Sequence, residues 1–99
     1  MNYSKKFACE NYSRGNNARM VTIGDITLYY SYREIIAFSD MTNKEPVRTS
    51  ITVGRINEWG PTTGRHMNDV PGNAKEDRLT GRDFEQALKA LIERHNLII

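Results

Sequence analysis

The chain has 99 residues, of which 26% are charged and 38% hydrophobic, and its net charge is +2. This length predicts one domain, and the charge is too low and too dispersed for a dedicated nucleic-acid-binding module. The single cysteine, Cys9, excludes an internal disulfide and a cysteine-based zinc site. No apolar run approaches the ~18 residues of a membrane span, and no signal peptide opens the chain, so we expect no membrane partner.

The first third of the chain is polar, basic and rich in turn-forming residues. Residues 1–33 carry five basic and two acidic side chains, whereas charges are nearly balanced in the remainder. Phe7, Ala8 and Tyr12 are the side chains that would hold a short strand or arm of this segment on the rest of the fold. We divide the single domain, residues 1–99, into a polar arm or loop (1–18), antiparallel strands (19–59) and a helical part (60–99).

Two runs of β-branched and aromatic residues, 20–23 and 26–32, flank Gly24 and Asp25. Glycine at the first of two turn positions predicts a hairpin with a type II′ turn. Alternation along the second strand separates a core face from a solvent face. The predicted core face carries Ile26, Leu28, Tyr30 and Tyr32, and the solvent face carries Thr27, Tyr29 and Ser31.

Two further strands are predicted at residues 34–39 and 48–56, on either side of a polar loop at 40–46. Ile56 is out of phase with the apolar residues that precede it in its strand. A β-bulge at residues 54–55 would return Ile56 to the inner face.

The strongest helix signal lies near the C-terminus. Thr80 is a favourable N-cap, Leu79 and Phe84 form a hydrophobic staple around it, and Asn96 predicts the end. The apolar residues between these ends recur every three or four positions, as on one helix face. They are Phe84, Ala87, Leu88, Leu91, Ile92 and His95.

A shorter helix is predicted to end at Asp69, with Pro61 in an early position and Thr62 or Thr63 as its cap. The pattern as a whole predicts an α+β fold. Its expected form is a three- to four-stranded antiparallel sheet with this short helix and a long C-terminal helix packed on one face.

The densest group of chemically versatile residues is the segment 62–68, with sequence TTGRHMN, which follows Trp59. An arginine fork and free backbone N–H groups near a helix start can hold an anion, which makes Arg65, His66 and Asn68 candidate binding residues. The alternative is purely local architecture, in which threonine caps the helix and His66 and Asn68 satisfy backbone groups.

Tyr29 and Arg33 are further candidate binding residues, because aromatic rings beside basic side chains stack and neutralise nucleic acid. The alternative is that Tyr29 is an ordinary surface residue and Arg33 part of a solvated face. His66 has no distinctive nucleophile or orienting partner, and the two histidines and one cysteine lack metal-ligand spacing. We therefore expect no catalytic residue, no metal and no cofactor.

Several short stretches together resemble a family of small uncharacterised proteins, frequent in phage and prophage genomes, that form a domain of unknown function. These stretches are NYS (11–13), GNNA (15–18), LYYSY (28–32), AF (37–38), Trp59 and TTGRHMN (62–68). The resemblance spans about residues 11–69. It departs from the family where many relatives have Thr-Pro-Val-Ala-Phe and this chain has EIIAF (34–38). The resemblance implies a viral setting in the host cytoplasm and no particular activity.

We therefore expect a small non-enzymatic phage-type binding protein that acts on a host or defence-system protein, for example as an inhibitor of bacterial immunity. The apolar residues 97–99 would join such an interface, and self-association stays open. The alternative is a nucleic-acid-binding accessory protein that uses the basic N-terminal third, with weak affinity. This alternative is favoured if the surplus Lys and Arg residues lie on one face of the fold.

Overall fold

The computed structural model describes residues 7–44 and 47–97. Within these residues the chain forms five strands followed by two α-helices, with a 3₁₀ turn between the helices. The predicted α+β class is confirmed. The elements are β1 (Phe7–Asn11), β2 (Ala18–Ile23), β3 (Ile26–Ser31), β4 (Glu34–Lys44), β5 (Val47–Gly54), α1 (Pro61–Asp69), the 3₁₀ turn (Lys75–Asp77) and α2 (Gly81–His95).

The strands form one antiparallel sheet in chain order, β1 to β5. This is one strand more than the predicted maximum, because β1 lies in the segment predicted as an arm or loop. β1 pairs with β2 along its whole length, starting with Phe7 opposite Ile23. Cys9, Glu10 and Asn11 are exposed, so this polar edge strand carries no apolar alternation from which it could be predicted.

The predicted hairpin of β2 and β3 is confirmed. Ile23 pairs with Ile26, so the loop has two residues, and Gly24 has a φ of +62°. A positive φ at the first turn position is what a type II′ turn requires, and glycine adopts it without a steric cost.

The fourth strand is longer than predicted. It runs through the segment 40–44, which was predicted as part of a polar loop, and pairs with β5 up to Lys44 opposite Val47. β5 in turn ends at Gly54, two residues before the predicted end. Polar residues can form a strand here because β5 supplies the backbone partners of β4 along this stretch.

The sheet irregularity lies in β4 and not at residues 54–55. The register between β3 and β4 shifts after Tyr29, which leaves Ile36 as the extra residue between paired positions. Ile36 and Ala37 consequently both lie in the core on the same side of the sheet, each with 0% exposure. Ile56, predicted to return to the inner face, is 41% exposed instead.

The short helix α1 begins at Pro61, with Gly60 as its N-cap. The predicted capping by Thr62 or Thr63 is therefore wrong, because both threonines already lie inside the first turn. Proline suits this first position, since its N–H would have no partner in the helix and its φ is already helical.

The long helix α2 follows its prediction closely. The Thr80 side chain accepts a hydrogen bond from the backbone N–H of Asp83 (3.2 Å), and Asn96 ends the helix in the left-handed conformation. Leu97 packs on the core, whereas residues 98–99 of the predicted interface segment lie outside the described residues. No helix in the described part of the chain is long and apolar enough to cross a membrane.

Leu28 and Tyr29 point to opposite faces of the sheet, and each face is covered by a cluster of packed side chains. On one face, α2 contributes Phe84, Leu88 and Leu91 to a cluster with Ile26, Leu28 and Phe38. On the other face, Met67 of α1 and Val70 pack against Tyr29, Ile36 and Ala37. The predicted docking of the long helix on one face is confirmed.

Two tyrosine assignments are corrected by this arrangement. Tyr29, predicted at the surface, is 7% exposed because α1 covers its face. Tyr32, predicted in the core, is 55% exposed because β3 ends at Ser31 and Tyr32 lies in the following turn. Alternation marks a solvent face only where one side of the sheet is open.

The segment between the helices runs along the edge of β5. Leu79 forms a parallel bridge with Arg55: its N–H donates to Gly54 O (2.9 Å), and the N–H of Ile56 donates to Leu79 O (2.8 Å). The Thr52 hydroxyl also donates to Pro71 O (3.1 Å). These contacts hold α1 and its flanking loops against one end of the sheet.

Candidate functional site

A cleft of about 730 Å³ opens where β3 turns into β4 and α1 begins. Three segments that are distant in sequence line it: residues 16–19, residues 31–34 and residues 59–63. We call it the Tyr32–Trp59 cleft, after the two exposed aromatic side chains in its lining. Its volume lies within the range of about 300–1,000 Å³ that is typical of small-ligand sites.

Tyr32 occupies the tight turn between β3 and β4. Its φ is +57°, a left-handed conformation that costs a bulky side chain roughly 1–2 kcal/mol. The N–H of Tyr32 donates to Asn17 O (2.7 Å), which ties this turn to the loop before β2. The ring lies 6.0 Å from the buried His66 ring and remains largely exposed. The turn thus presents an aromatic ring where glycine would be less strained.

Trp59 is held in place just before α1. Its backbone N–H donates to Asn57 Oδ1 (2.9 Å), and the guanidinium of Arg55 lies 4.6 Å from its ring centroid. Arg55 is itself 9% exposed and forms ion pairs with Glu58 and Glu85. These contacts fix the indole from one side while 44% of the residue surface stays exposed.

Two guanidinium groups lie in the same cleft. Arg19 donates through Nε to Asn16 O (3.2 Å), which leaves its terminal nitrogens to meet a ligand. Arg33 is exposed, and the described residues provide it with neither an ion pair nor a hydrogen bond. Glu34 lines the cleft beside them, so the local positive charge is modest.

Beneath the cleft, a buried polar network joins β3 to α1. The Ser31 hydroxyl lies 2.7 Å from His66 Nδ1 and 3.0 Å from the Thr63 hydroxyl, and all three residues are less than a tenth exposed. With Ser31 donating to Nδ1 and accepting from Thr63, the two hydroxyls and the Nδ1 atom each have a hydrogen-bond partner. Tyr12 packs edge-on against His66, and its hydroxyl donates to Tyr30 O (2.9 Å). We assign this network to the support of the cleft.

Burial lowers the pKa of His66 below its usual value, and the neighbouring Arg65 lowers it further, whereas Asp69 opposes the shift. His66 is therefore neutral at physiological pH, as acceptance from Ser31 at Nδ1 requires. Burial also raises the pKa of the Tyr12 phenol, with Asp69 and Tyr29 adding to the effect.

This pKa shift predicts an acid-sensitive contribution to stability. Protonation of His66 favours the unfolded chain, so the free energy of unfolding falls as pH drops from about 6.5 towards the lowered folded value. The variant His66→Gln, which does not titrate, should be less stable at neutral pH but lose less stability on acidification. Urea unfolding of both proteins at about pH 7.5 and about pH 5 measures the difference. Equal losses would show that His66 is not responsible.

The sequence-derived candidates separate into three groups. Arg33 lines the cleft. Arg65 and Asn68 lie on the exposed side of α1, where Asn68 Oδ1 accepts from Arg78 (3.1 Å). His66 and Tyr29 are buried, so neither side chain is available for direct contact with a partner.

Tyr32, Trp59 and Arg19 also line the cleft, although none of them was among the binding residues predicted from the sequence. Trp59 precedes the TTGRHMN segment and Arg19 belongs to the basic N-terminal third, so both were visible as residue types. The sequence did not show that these residues lie close together, because the loop, the turn and the helix start that carry them meet only in the fold. Within the described residues, no three His, Cys, Asp or Glu side chains are grouped as metal ligands would be.

A family model described as "Family of unknown function (DUF8033)" matches residues 1–86. The match is longer than the stretch 11–69 that carries the sequence-level resemblance, and it includes the start of α2. The expectation of a family without an assigned function is confirmed. Comparison with curated proteins and with solved structures found no match.

Proposed function

Because the chain belongs to the DUF8033 family, whose function is unknown, we propose a function from its own surface: it is a small non-enzymatic binding protein that holds its partner in the Tyr32–Trp59 cleft. The observation that carries this proposal is the combination of two exposed aromatic rings, Tyr32 and Trp59, with the guanidinium groups of Arg19 and Arg33. Aromatic residues and arginine dominate the binding energy of protein interfaces.

The partner in this proposal is a host or defence-system protein, and the protein acts in the host cytoplasm, for example as an inhibitor of bacterial immunity. The resemblance of the TTGRHMN segment and its neighbours to proteins of phages and prophages supports this setting. The modest local charge supports a protein partner, because Glu34 beside Arg19 and Arg33 would repel a polyanion.

Cross-linked capture from bacterial lysate tests the proposal. We expect wild-type protein and the variant Lys89→Ala, changed on the exposed face of α2, to capture the same partner. Trp59→Ala should lose it while keeping its melting temperature nearly intact, because the indole is about half exposed and belongs to neither core cluster. Equal capture by Trp59→Ala would contradict a role for the cleft.

One observation favours the second candidate, a nucleic-acid-binding accessory protein. Arg19 and Arg33, two of the basic residues of the first third, lie in the same cleft as Tyr32 and Trp59. Two cations neutralise few phosphates, so we expect weak binding of single-stranded DNA or RNA that disappears between low and physiological salt. Submicromolar binding that persists at high salt, measured by fluorescence anisotropy, would establish this second function in place of the first.

A further inference from the structure

We propose that the Tyr32–Trp59 cleft recognises an acidic peptide segment, in which one carboxylate lies beside an aliphatic or aromatic side chain. This inference rests on the proposed function, since it names the chemistry of the partner segment that the cleft holds. The cleft combines two features that such a segment requires, guanidinium groups and open aromatic surface.

The carboxylate is matched by Arg33 and Arg19. Guanidinium groups bind carboxylates through paired, charge-assisted hydrogen bonds. Arg33 offers its whole fork, because the described residues leave it without a partner, and Arg19 offers the nitrogens that its bond to Asn16 O does not use. Glu34 disfavours a second negative charge, so the cleft suits one carboxylate and not a run of them.

The apolar side chain is matched by Trp59 and Tyr32. Both rings are about half exposed although large aromatic residues gain free energy when they are buried. Arg55 stacks on the indole and is held by two ion pairs, so Trp59 keeps its position without a ligand. A partner side chain would therefore bury ring surface without paying for rearrangement of this wall.

The conformation of Tyr32 adds an independent argument. A left-handed φ at a tyrosine is a local strain, and such strain persists where the surrounding structure holds it and is concentrated at functional sites. The hydrogen bond from Tyr32 N to Asn17 O holds the strained turn. Glycine would adopt this conformation freely, so the ring itself is what the position supplies to the cleft.

A nucleic acid fits the same cleft less well. Its affinity comes from neutralising several phosphates along a path, whereas Glu34 interrupts the positive charge next to Arg33. A peptide needs only one anionic contact and one apolar contact. We therefore treat oligonucleotide binding as the competing result of the experiment.

Trp59 is the only tryptophan of the chain, so its fluorescence reports directly on the cleft. The probes are acetylated and amidated peptides without tryptophan: Gly-Leu-Glu-Leu-Gly, the same peptide with Gln for Glu, and the same peptide with Ala for both Leu. An oligothymidine is the nucleic-acid probe. We expect the Glu peptide to bind about tenfold more tightly than the Gln peptide, since only the former forms charge-assisted bonds.

Two variants connect this preference to the cleft. Arg33→Gln should abolish the difference between the Glu and Gln peptides, whereas Arg82→Gln, which removes an exposed arginine of α2, should leave it unchanged. Tyr32→Gly should weaken binding of the Glu peptide while its melting temperature stays equal or rises, because the turn loses its strain. A merely structural role of Tyr32 would not separate these two readouts.

Equal affinity for the Glu and Gln peptides, or no peptide-dependent change of Trp59 fluorescence, would overturn the inference. So would tighter binding of oligothymidine than of the Glu peptide. These failures differ from failure of the proposed function, in which Trp59→Ala captures the lysate partner as well as wild type does. A partner captured through Trp59 without any preference for a carboxylate would therefore reject the acidic segment alone.

Discussion

Replacing Leu91 by alanine is expected to lower the free energy of unfolding by about 2–5 kcal/mol. Leu91 is 0% exposed and packs with Leu28 of β3 and Phe38 of β4 in the cluster under α2. The truncation removes buried methyl groups and leaves a cavity that the sheet can fill only partly, because its backbone is fixed by pairing on both sides.

Urea unfolding followed by circular dichroism measures this loss. Lys89→Ala is the matched control, since it lies two residues away on the exposed face and should change stability by less than about 0.5 kcal/mol. Leu88→Ala, at a site with 7% exposure, should behave like Leu91→Ala. Unchanged stability in both leucine variants would mean that α2 does not dock on the sheet in solution.

The helix that carries Leu91 is also the element whose bounds follow most closely from the sequence. Its start and end are set by contacts within a few residues, the Thr80 side chain accepting from Asp83 N and Asn96 adopting the left-handed cap. The apolar stripe between them repeats at helical spacing. These contacts involve only residues that are neighbours in the sequence, so both helix boundaries could be predicted from it.

The sheet was harder to predict where its structure depends on distant segments. Residues 7–11 form a strand because they pair with β2, and Ile36 is an extra residue because the register between β3 and β4 shifts beside it. Tyr29 is buried only because α1 crosses its face. In each case the structure depends on a segment that lies at least several residues away. The alternation of residues within one strand gives no information about that segment.

The candidate site shows the same division. Arg33 and the anion-binding chemistry of arginine were accessible from the sequence. The exposure of Tyr32 follows from a turn, the burial of His66 from the packing of α1 against the sheet, and the position of Trp59 from the stacking of Arg55 on it. Residue types indicate what a surface can bind, whereas the fold decides which side chains reach it.

Gly54→Ala is expected to destabilise the protein by about 1–3 kcal/mol, although alanine is otherwise favourable in a strand relative to glycine. A Cβ at Gly54 would overlap the amide of Asn73, which is 9% exposed and donates through Nδ2 to Met67 O (3.1 Å). The overlap forces either β5 or the loop after α1 to move. Gly60→Ala is the steric control, because no described atom outside Gly60 and its two chain neighbours lies within 4 Å of the Cβ it would add.

A double-mutant cycle with Asn73→Ala identifies the cause of this loss. Asn73→Ala alone should cost about 1 kcal/mol through its hydrogen bond to Met67 O, which keeps a second donor in Arg78 (3.3 Å). In that background the space beside Gly54 is open, so adding Gly54→Ala should cost little and the two effects should fall short of additivity by about 1 kcal/mol or more. If Gly54→Ala costs the same in both backgrounds, its effect comes from the strand itself. Non-additivity would instead show that the loss comes from overlap between the added Cβ and the amide of Asn73.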